Sequence, residues 1–422
     1  MDKYRIIVAH PGQQHSYRLA SALNRYGCLF SYITTVYNKK NGFIVKVLSL
    51  FISKDNKKRL EKRRCDKIDD KQLIQYNSLS GLILLLLNRV DYSRKIYYWW
   101  NKKVADSFGR KVAEYAVNMN ADAVIMYDTN AKSCFEYLKE ANPKILRIMD
   151  MSAANRSFVK HVYEEDIIRN PHWAEILRHE KRFLWDYSLE DYDEEIRIAD
   201  FFLAASNVVK HSIEYSGRSG SDVWVVPYGV DSRTYSPPMK ETGGAVRFLF
   251  VGAVRQMKGI SYLLEAFEKV NPKTAQLEIV GDCLIPERLQ HKDASNIKYF
   301  GYLLPEKVIE RYKNADVFVF PSLCDGFGLA ALEAMASGLP VICSDNSGVA
   351  DLIQDGVNGF VVKTGDSEML KDRIVWFTEH RDRMKEMKHA ALETGRNYSW
   401  EKYEENIKRT IIEMIQRKYR NG

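Results

Sequence analysis

Asp325-Gly326-Phe327-Gly328-Leu329-Ala330-Ala331-Leu332-Glu333-Ala334-Met335-Ala336-Ser337-Gly338 sets two acids eight positions apart around a small-residue loop and a short apolar helix. Val317-Phe318-Val319-Phe320-Pro321 precedes it, an apolar run that reads as a buried strand. Strand, glycine loop and helix in that order present free backbone N–H groups and a positive dipole end to an anion. The carboxylates of Asp325 and Glu333 are placed to accept hydrogen bonds from ligand hydroxyls. An anion that also carries hydroxyls reads as a sugar nucleotide. The bland alternative is a helix with a dipole-favouring acid and a surface glutamate.

Outward from this stretch, strands and helices alternate. Strands are expected at residues 246–251, 277–280, 297–300, 317–320, 341–344 and 360–362, with helices at 260–270 and 305–315 and helical patterns over 368–420. In the first half, strands are expected at 5–9, 29–34, 123–127, 145–149 and 201–205. A helix over 16–26 carries Leu19, Ala22, Leu23 and Tyr26 on one face, with Gly27 as its stop. The pattern predicts an α/β chain of two doubly wound, Rossmann-like domains facing a cleft. Residues 1–228 are expected as the first domain, 229–244 as a linker with prolines and glycines, and 245–393 as the second domain, which carries the acidic motif. Residues 394–422 are expected as a closing helix that packs back toward the first domain. Ligands of such sheets lie outside the carboxyl ends of the strands, so the loop His10-Pro11-Gly12-Gln13-Gln14-His15 is a candidate wall of the site.

A chain of 422 residues is too long for one ordinary core, and 45% hydrophobic with 28% charged residues is a globular composition. Six cysteines stand singly, without the paired spacing of a zinc site or a disulfide framework, which fits a reducing compartment. The N-terminal apolar run is too short for a signal peptide, and the longest apolar run, 82–87, is far short of a membrane span. These features predict a cytoplasmic protein.

The net charge of +8 is unevenly placed. An apolar segment at 43–52 is followed by Lys54, Lys57, Lys58, Arg59, Lys62, Arg63 and Arg64. Beyond them lie the apolar stretch 79–90 and Tyr97-Tyr98-Trp99-Trp100 with Lys102 and Lys103. This region predicts peripheral docking on an anionic membrane, at ~1 kcal/mol per basic charge, on the inner face of the cell membrane. A core helix beside a solvated basic loop is the alternative. Nucleic-acid binding fits poorly, because the basic cluster comes with no reading motif.

Five ordered landmarks resemble the retaining GT-B glycosyltransferases of family four: Ala199-Asp200 with its strand to Ser206, Val226-Pro227-Tyr228-Gly229-Val230-Asp231, Val251-Gly252-Ala253-Val254-Arg255-Gln256-Met257-Lys258-Gly259, Ala315-Asp316 with its strand to Ser322, and Ser399-Trp400-Glu401. The resemblance covers roughly the second half of the chain. It implies transfer of a hexose-type sugar from a nucleoside-diphosphate donor to a glycan or lipid-linked acceptor, in cell-envelope polysaccharide synthesis. It implies no metal: the donor phosphate takes the acceptor's proton, and Lys258 with the helix dipole replaces a cation. The family's phosphate-loop arginine falls at Ala253, so Arg255 is the expected substitute; its usual first acid is Glu where this chain has Asp325; and where many members place a histidine after the fifth strand, this strand ends in Asp150 and no histidine follows until His161.

The resulting roles are specific. Lys258, Arg255 and the helix N-terminus near Gly328 face the leaving phosphate, the largest lever on the barrier. Asp325 accepts from sugar hydroxyls and Glu333 from ribose hydroxyls. Gly12, Gly252, Gly326, Phe327, Gly328 and Leu329 line the donor, Gly12 through its amide region. His15, with Gln13 and Gln14, and Asp150 lie on the acceptor side, with a strand-end or helix-cap role as the plain alternative. A sugar-nucleotide epimerase of the same architecture and a non-catalytic nucleotide-sugar-binding scaffold are the other functions this pattern admits.

Overall fold

The computed structural model describes residues 4–12, 15–39, 63–91, 95–180, 189–235, 244–291 and 294–421. Gln13, Gln14, the apolar segment 43–52, the cations Lys54 to Arg59 and Lys62, and the linker residues 236–243 lie outside the described residues.

Two parallel sheets organise the chain. The first has the order β3-β2-β1-β4-β5-β6-β7, built from β1 (Ile6–Ala9), β2 (Leu29–Thr34), β3 (Leu73–Gln75), β4 (Ala123–Tyr127), β5 (Leu146–Met151), β6 (Phe201–Ala204) and β7 (Val223–Val225). The second has the order β10-β9-β8-β11-β12-β13, from β8 (Val246–Val251), β9 (Ala275–Val280), β10 (Ile297–Gly301), β11 (Val317–Phe320), β12 (Val341–Ser344) and β13 (Gly359–Val362). Central strands such as β1, β4 and β11 are buried on both faces, which is why they read as continuous apolar runs rather than alternating ones.

Three Ala-Asp pairs fix strand register. Asp122, Asp200 and Asp316 stand just before β4, β6 and β11, and their carboxylates accept from the backbone N–H of Arg5 (2.6 Å), Arg147 (2.9 Å) and Arg247 (3.0 Å), beside or within the neighbouring strands β1, β5 and β8. A one-residue slip would break these bonds, and they set the register where strands buried on both faces carry no alternation to do so.

Some boundaries differ from the sequence reading. β5 runs to Met151, so Asp150 is a strand residue paired with Tyr127 and Leu203, not the cap of a following helix; that helix, Arg156–Arg169, is preceded by Asn155. The edge strands β3 and β7 have three residues each, too few for a periodic signal. The C-terminal helical region breaks at Tyr398 and Ser399 into helices Arg381–Asn397 and Trp400–Asn421.

The last helix returns to the first sheet. Tyr403, Ile407, Ile411, Met414 and Ile415 form its buried stripe. Glu404 pairs with Arg25 (2.9 Å) and Lys67 (3.3 Å), and Lys418 reaches Asp200 (2.9 Å). The two chain crossings lie side by side: Val230 N–H donates to the Tyr398 carbonyl at 2.9 Å, and a side chain at Gly229 would collide with the Ser399–Trp400 backbone. A third apolar cluster joins the domains, with Phe158, Val159, Val162 and Leu177 against Tyr262, Leu323 and Cys324.

Candidate active site

The site is built where the carboxyl ends of the two sheets face each other. After β8 the chain passes through Gly252 and a single 3-10 turn, Gln256–Lys258, into helix Ile260–Glu268. Gly259 makes this possible: its φ is 69°, and a side chain there would strike the Pro321 carbonyl at the end of β11. The loop is thereby laid on the strand that feeds the acidic motif, and the Lys258 ammonium pairs with the Asp325 carboxylate. The second Asp325 oxygen accepts from Phe327 N–H at 3.2 Å. Lys258 Nζ lies 5.4 Å from the centre of the Phe320 ring.

Gly328, at φ 87°, starts helix Leu329–Ala336; a side chain there would press on the Phe320 ring. Ala331 N–H already donates to the Gly328 carbonyl at 2.9 Å, so Leu329 and Ala330 carry the N–H groups that helix geometry leaves without an intrahelical partner, and this helix start follows closely on Asp325, the partner of Lys258. Glu333 follows one turn on. Its carboxyl lies 3.2 Å from the buried Tyr312 hydroxyl and also meets Tyr235. Burial raises its pKa, and the two hydrogen bonds work in the opposite direction.

The other expected donor residues divide. Leu329 is exposed at the helix start, whereas the Phe327 ring is buried against Tyr228, so Phe327 offers the site its backbone only. Gly326 approaches the backbone of Ser152 and Ala153 in the first domain, with Ser206 Oγ donating to its carbonyl at 2.6 Å. Gly252 sits at φ 157° with its N–H on Val280 O (2.9 Å). Arg255 is half-buried and makes no side-chain hydrogen bond or ion pair among the described residues. The Gly12 N–H is engaged by His10 Nδ1 at 2.7 Å and its carbonyl by Thr34 Oγ1 at 3.1 Å, so that amide is committed within its own loop.

On the acceptor side, His15 and Asp150 were separate candidates and form one pair: Nε2 lies 3.1 Å from Asp150 Oδ2. The His15 ring packs edge-on to Tyr127 and against Tyr228, each 5.0 Å away. Burial opposes the imidazolium, but Asp150, through charge and hydrogen bond, and Asp128 outweigh it, so the His15 pKa is raised. Tyr127 and Asp128 were not singled out from the sequence, and Tyr228 was read only as part of the Val226–Asp231 landmark; a tyrosine at a strand end such as Tyr127 carries no signal by itself. The described residues contain no cluster of three or more His, Cys, Asp or Glu that could hold a metal ion.

The basic region resolves into two parts. Arg64 is bound within its own loop by Asp66 (2.8 Å), the Asn38 carbonyl (3.0 Å) and Asp70 (3.3 Å), and Arg63 is half-buried. Helix Ser78–Val90 instead exposes Leu79, Ile83, Leu86 and Val90 along one side, Leu79 by 75%. Ile96 and Trp99 are exposed at the start of helix Lys95–Asn118, with Lys103 Nζ 3.9 Å from the Trp99 ring centre. No described helix is long and apolar enough to cross a membrane.

Residues 232–394 match the family model of the glycosyl transferases group 1. The lipopolysaccharide 1,6-galactosyltransferase of Salmonella typhimurium is 30% identical over 243 residues, 54% of this chain and 64% of that protein. Several other curated relatives match over about half their own length: 48%, 46% and 47%. Among solved structures, the lipopolysaccharide outer core galactosyltransferase WaaB superposes with a TM-score of 0.66 at 17% identity, over 97% of this chain and 99% of that one. Anabaena HepE in complex with UDP gives 0.59 at 15% identity, over 97% and 100%. The fold of this chain is GT-B, and together with the match over residues 232–394 it supports a glycosyltransferase of that architecture.

Proposed function

We propose that the chain transfers a hexose-type sugar, with retention and without a metal, from a nucleoside-diphosphate donor to a glycan or lipid-linked acceptor of the cell envelope. The observation that carries this reading is Lys258 held beside the open N-terminus of helix Leu329–Ala336. Cleaving the bond between the anomeric carbon and the diphosphate places new negative charge on the leaving oxygen. A lysine and a helix dipole already aimed there stabilise that charge without reorganising. The acceptor oxygen bonds to the anomeric carbon on the face the diphosphate leaves, and its proton passes to a diphosphate oxygen. Glu333 holds ribose hydroxyls and Asp325 sugar hydroxyls. His15 and Asp150 orient the acceptor hydroxyl from the first domain. The UDP complex of HepE, a protein of similar fold, supports uridine as the base to try first.

We assign membrane contact to the exposed side of helix Ser78–Val90 with Ile96 and Trp99. Gly81, on the opposite side of that helix, packs on Thr35, whose hydroxyl donates to the Pro11 carbonyl in the acceptor-side loop, so the helix is seated beside that loop with its apolar side facing outward. A lipid-linked acceptor on the inner face of the membrane would enter there. Co-sedimentation with vesicles containing anionic lipid checks this: Leu79→Ser with Leu86→Ser leaves the pellet, and unchanged sedimentation contradicts it.

Incubation with a panel of nucleotide sugars tests the function. Free sugar with released nucleoside diphosphate supports transfer. An altered sugar still on its nucleotide points to an epimerase, and binding without turnover to a scaffold.

A further inference from the structure

The loop that carries Lys258 is held from the opposite domain. Asp166, on helix Arg156–Arg169 of the first domain, gives both carboxylate oxygens to the second: Oδ2 accepts from Gln256 Nε2 at 2.9 Å and Oδ1 from the Tyr262 hydroxyl at 2.6 Å. Glu180, just after helix Ala174–His179, accepts from Met257 N–H at 3.1 Å. Asn170 Nδ2 reaches Ser261 Oγ at 2.9 Å, and Arg169 Nη1 the Thr364 carbonyl at 2.9 Å. Lys258 therefore sits in a segment fixed on both sides, at 256–257 and at 261–262, by side chains of the domain that faces it.

We propose that Asp166 and Glu180 are positioning residues for the donor reaction: they form a latch that sets the Lys258 turn only when the two domains are closed. This rests on the proposed transfer for its kinetic readout. Neither carboxylate touches the donor site directly; each acts through the backbone or side chain of the turn. The contact suits a reversible closure. Asp166 gives up water to make these two hydrogen bonds, and burial of its carboxylate, which raises its pKa, offsets part of their gain, so the cleft can reopen for product release. In the closed state both its oxygens are satisfied, so burial leaves neither oxygen unpaired. A shift of about 1 Å in a group that grips the reacting atoms costs about 10²-fold in rate, so losing the latch acts on turnover rather than on nucleotide affinity.

The test uses the full chain with Asp166→Ala, Glu180→Ala and the milder Tyr262→Phe. Melting temperature establishes folding, solution scattering reads compactness, calorimetry with UDP reads affinity, and donor turnover reads kcat. We expect the folded variants to show a larger radius of gyration than wild type, a kcat lower by at least about tenfold, and UDP affinity within about threefold. Asp166→Asn, which keeps one acceptor oxygen for Tyr262, should recover part of the kcat. Folded variants with wild-type compactness and wild-type kcat overturn the latch. If Asp166→Ala does not fold, Tyr262→Phe decides in the same way. Scattering separates the two claims: open variants of a wild type that never turns over a donor leave the latch standing and remove the transfer reading.

Discussion

Lys258 and Asp325 neutralise each other across the mouth of helix Leu329–Ala336. The pair holds the cation where a phosphate would arrive, and it means that ligand and carboxylate compete for one ammonium. Asp325→Asn therefore separates two roles. With the competitor gone, UDP should bind more tightly, by about fivefold or ~1 kcal/mol for a partly exposed pair. Turnover should fall, because the sugar hydroxyls lose their charged acceptor. Calorimetry and a donor-turnover assay on the same preparation check both halves.

Glu333 gives the second prediction. Burial raises its pKa, and it accepts ribose hydroxyls best when ionised. Nucleotide affinity should weaken as pH falls through that elevated value, and Glu333→Gln should remove the pH dependence while weakening binding by ~1.5–3 kcal/mol, the range for hydrogen bonds to a charged group. Titration calorimetry over a pH series reads this, with circular dichroism confirming the fold.

His15 predicts a stability effect of known sign. Its folded pKa lies above the ordinary value of 6.5, because Asp150 and Asp128 favour the imidazolium more than burial disfavours it. That stabilisation is complete below pH 6.5 and is lost as pH rises through the folded value. Thermal melts from pH 6 upward should show a decline in wild type that His15→Gln flattens.

Gly326 predicts a geometric effect. A Cβ there would drive into the Ser152 carbonyl and the Ala153 backbone. Gly326→Ala should cost about 1–3 kcal/mol of stability by overpacking and widen the cleft. A lower melting temperature with a larger radius of gyration is the expected result.

The donor half of this site was legible because its signals are local. Asp325, Gly328 and Glu333 lie within one strand-loop-helix unit, and the alternation around it gave both parallel sheets. Contacts across long sequence separations were not legible. His15 and Asp150 each stood out by position, but their pairing spans 135 residues and needs the first sheet to bring the ends of β1 and β5 together. Asp166 gave no signal at all: in the helix sequence RSFVKHVYEEDIIR it is one acid among three, and only the closed domains reveal that its partners are Gln256 and Tyr262. The basic run was read by counting charges, and Arg64 shows the weakness of that, since Asp66 and Asp70 a few residues on absorb it. Gly12 was expected to offer its amide to a ligand, and the His10 ring two residues before it takes that N–H instead.

The most direct measurement is a crystal structure of the full chain with UDP. A phosphate oxygen should lie within about 3 Å of a backbone N–H at the start of helix Leu329–Ala336, with Lys258 Nζ turned from Asp325 to the diphosphate. A diphosphate bound elsewhere, with Lys258 still on Asp325, would contradict it.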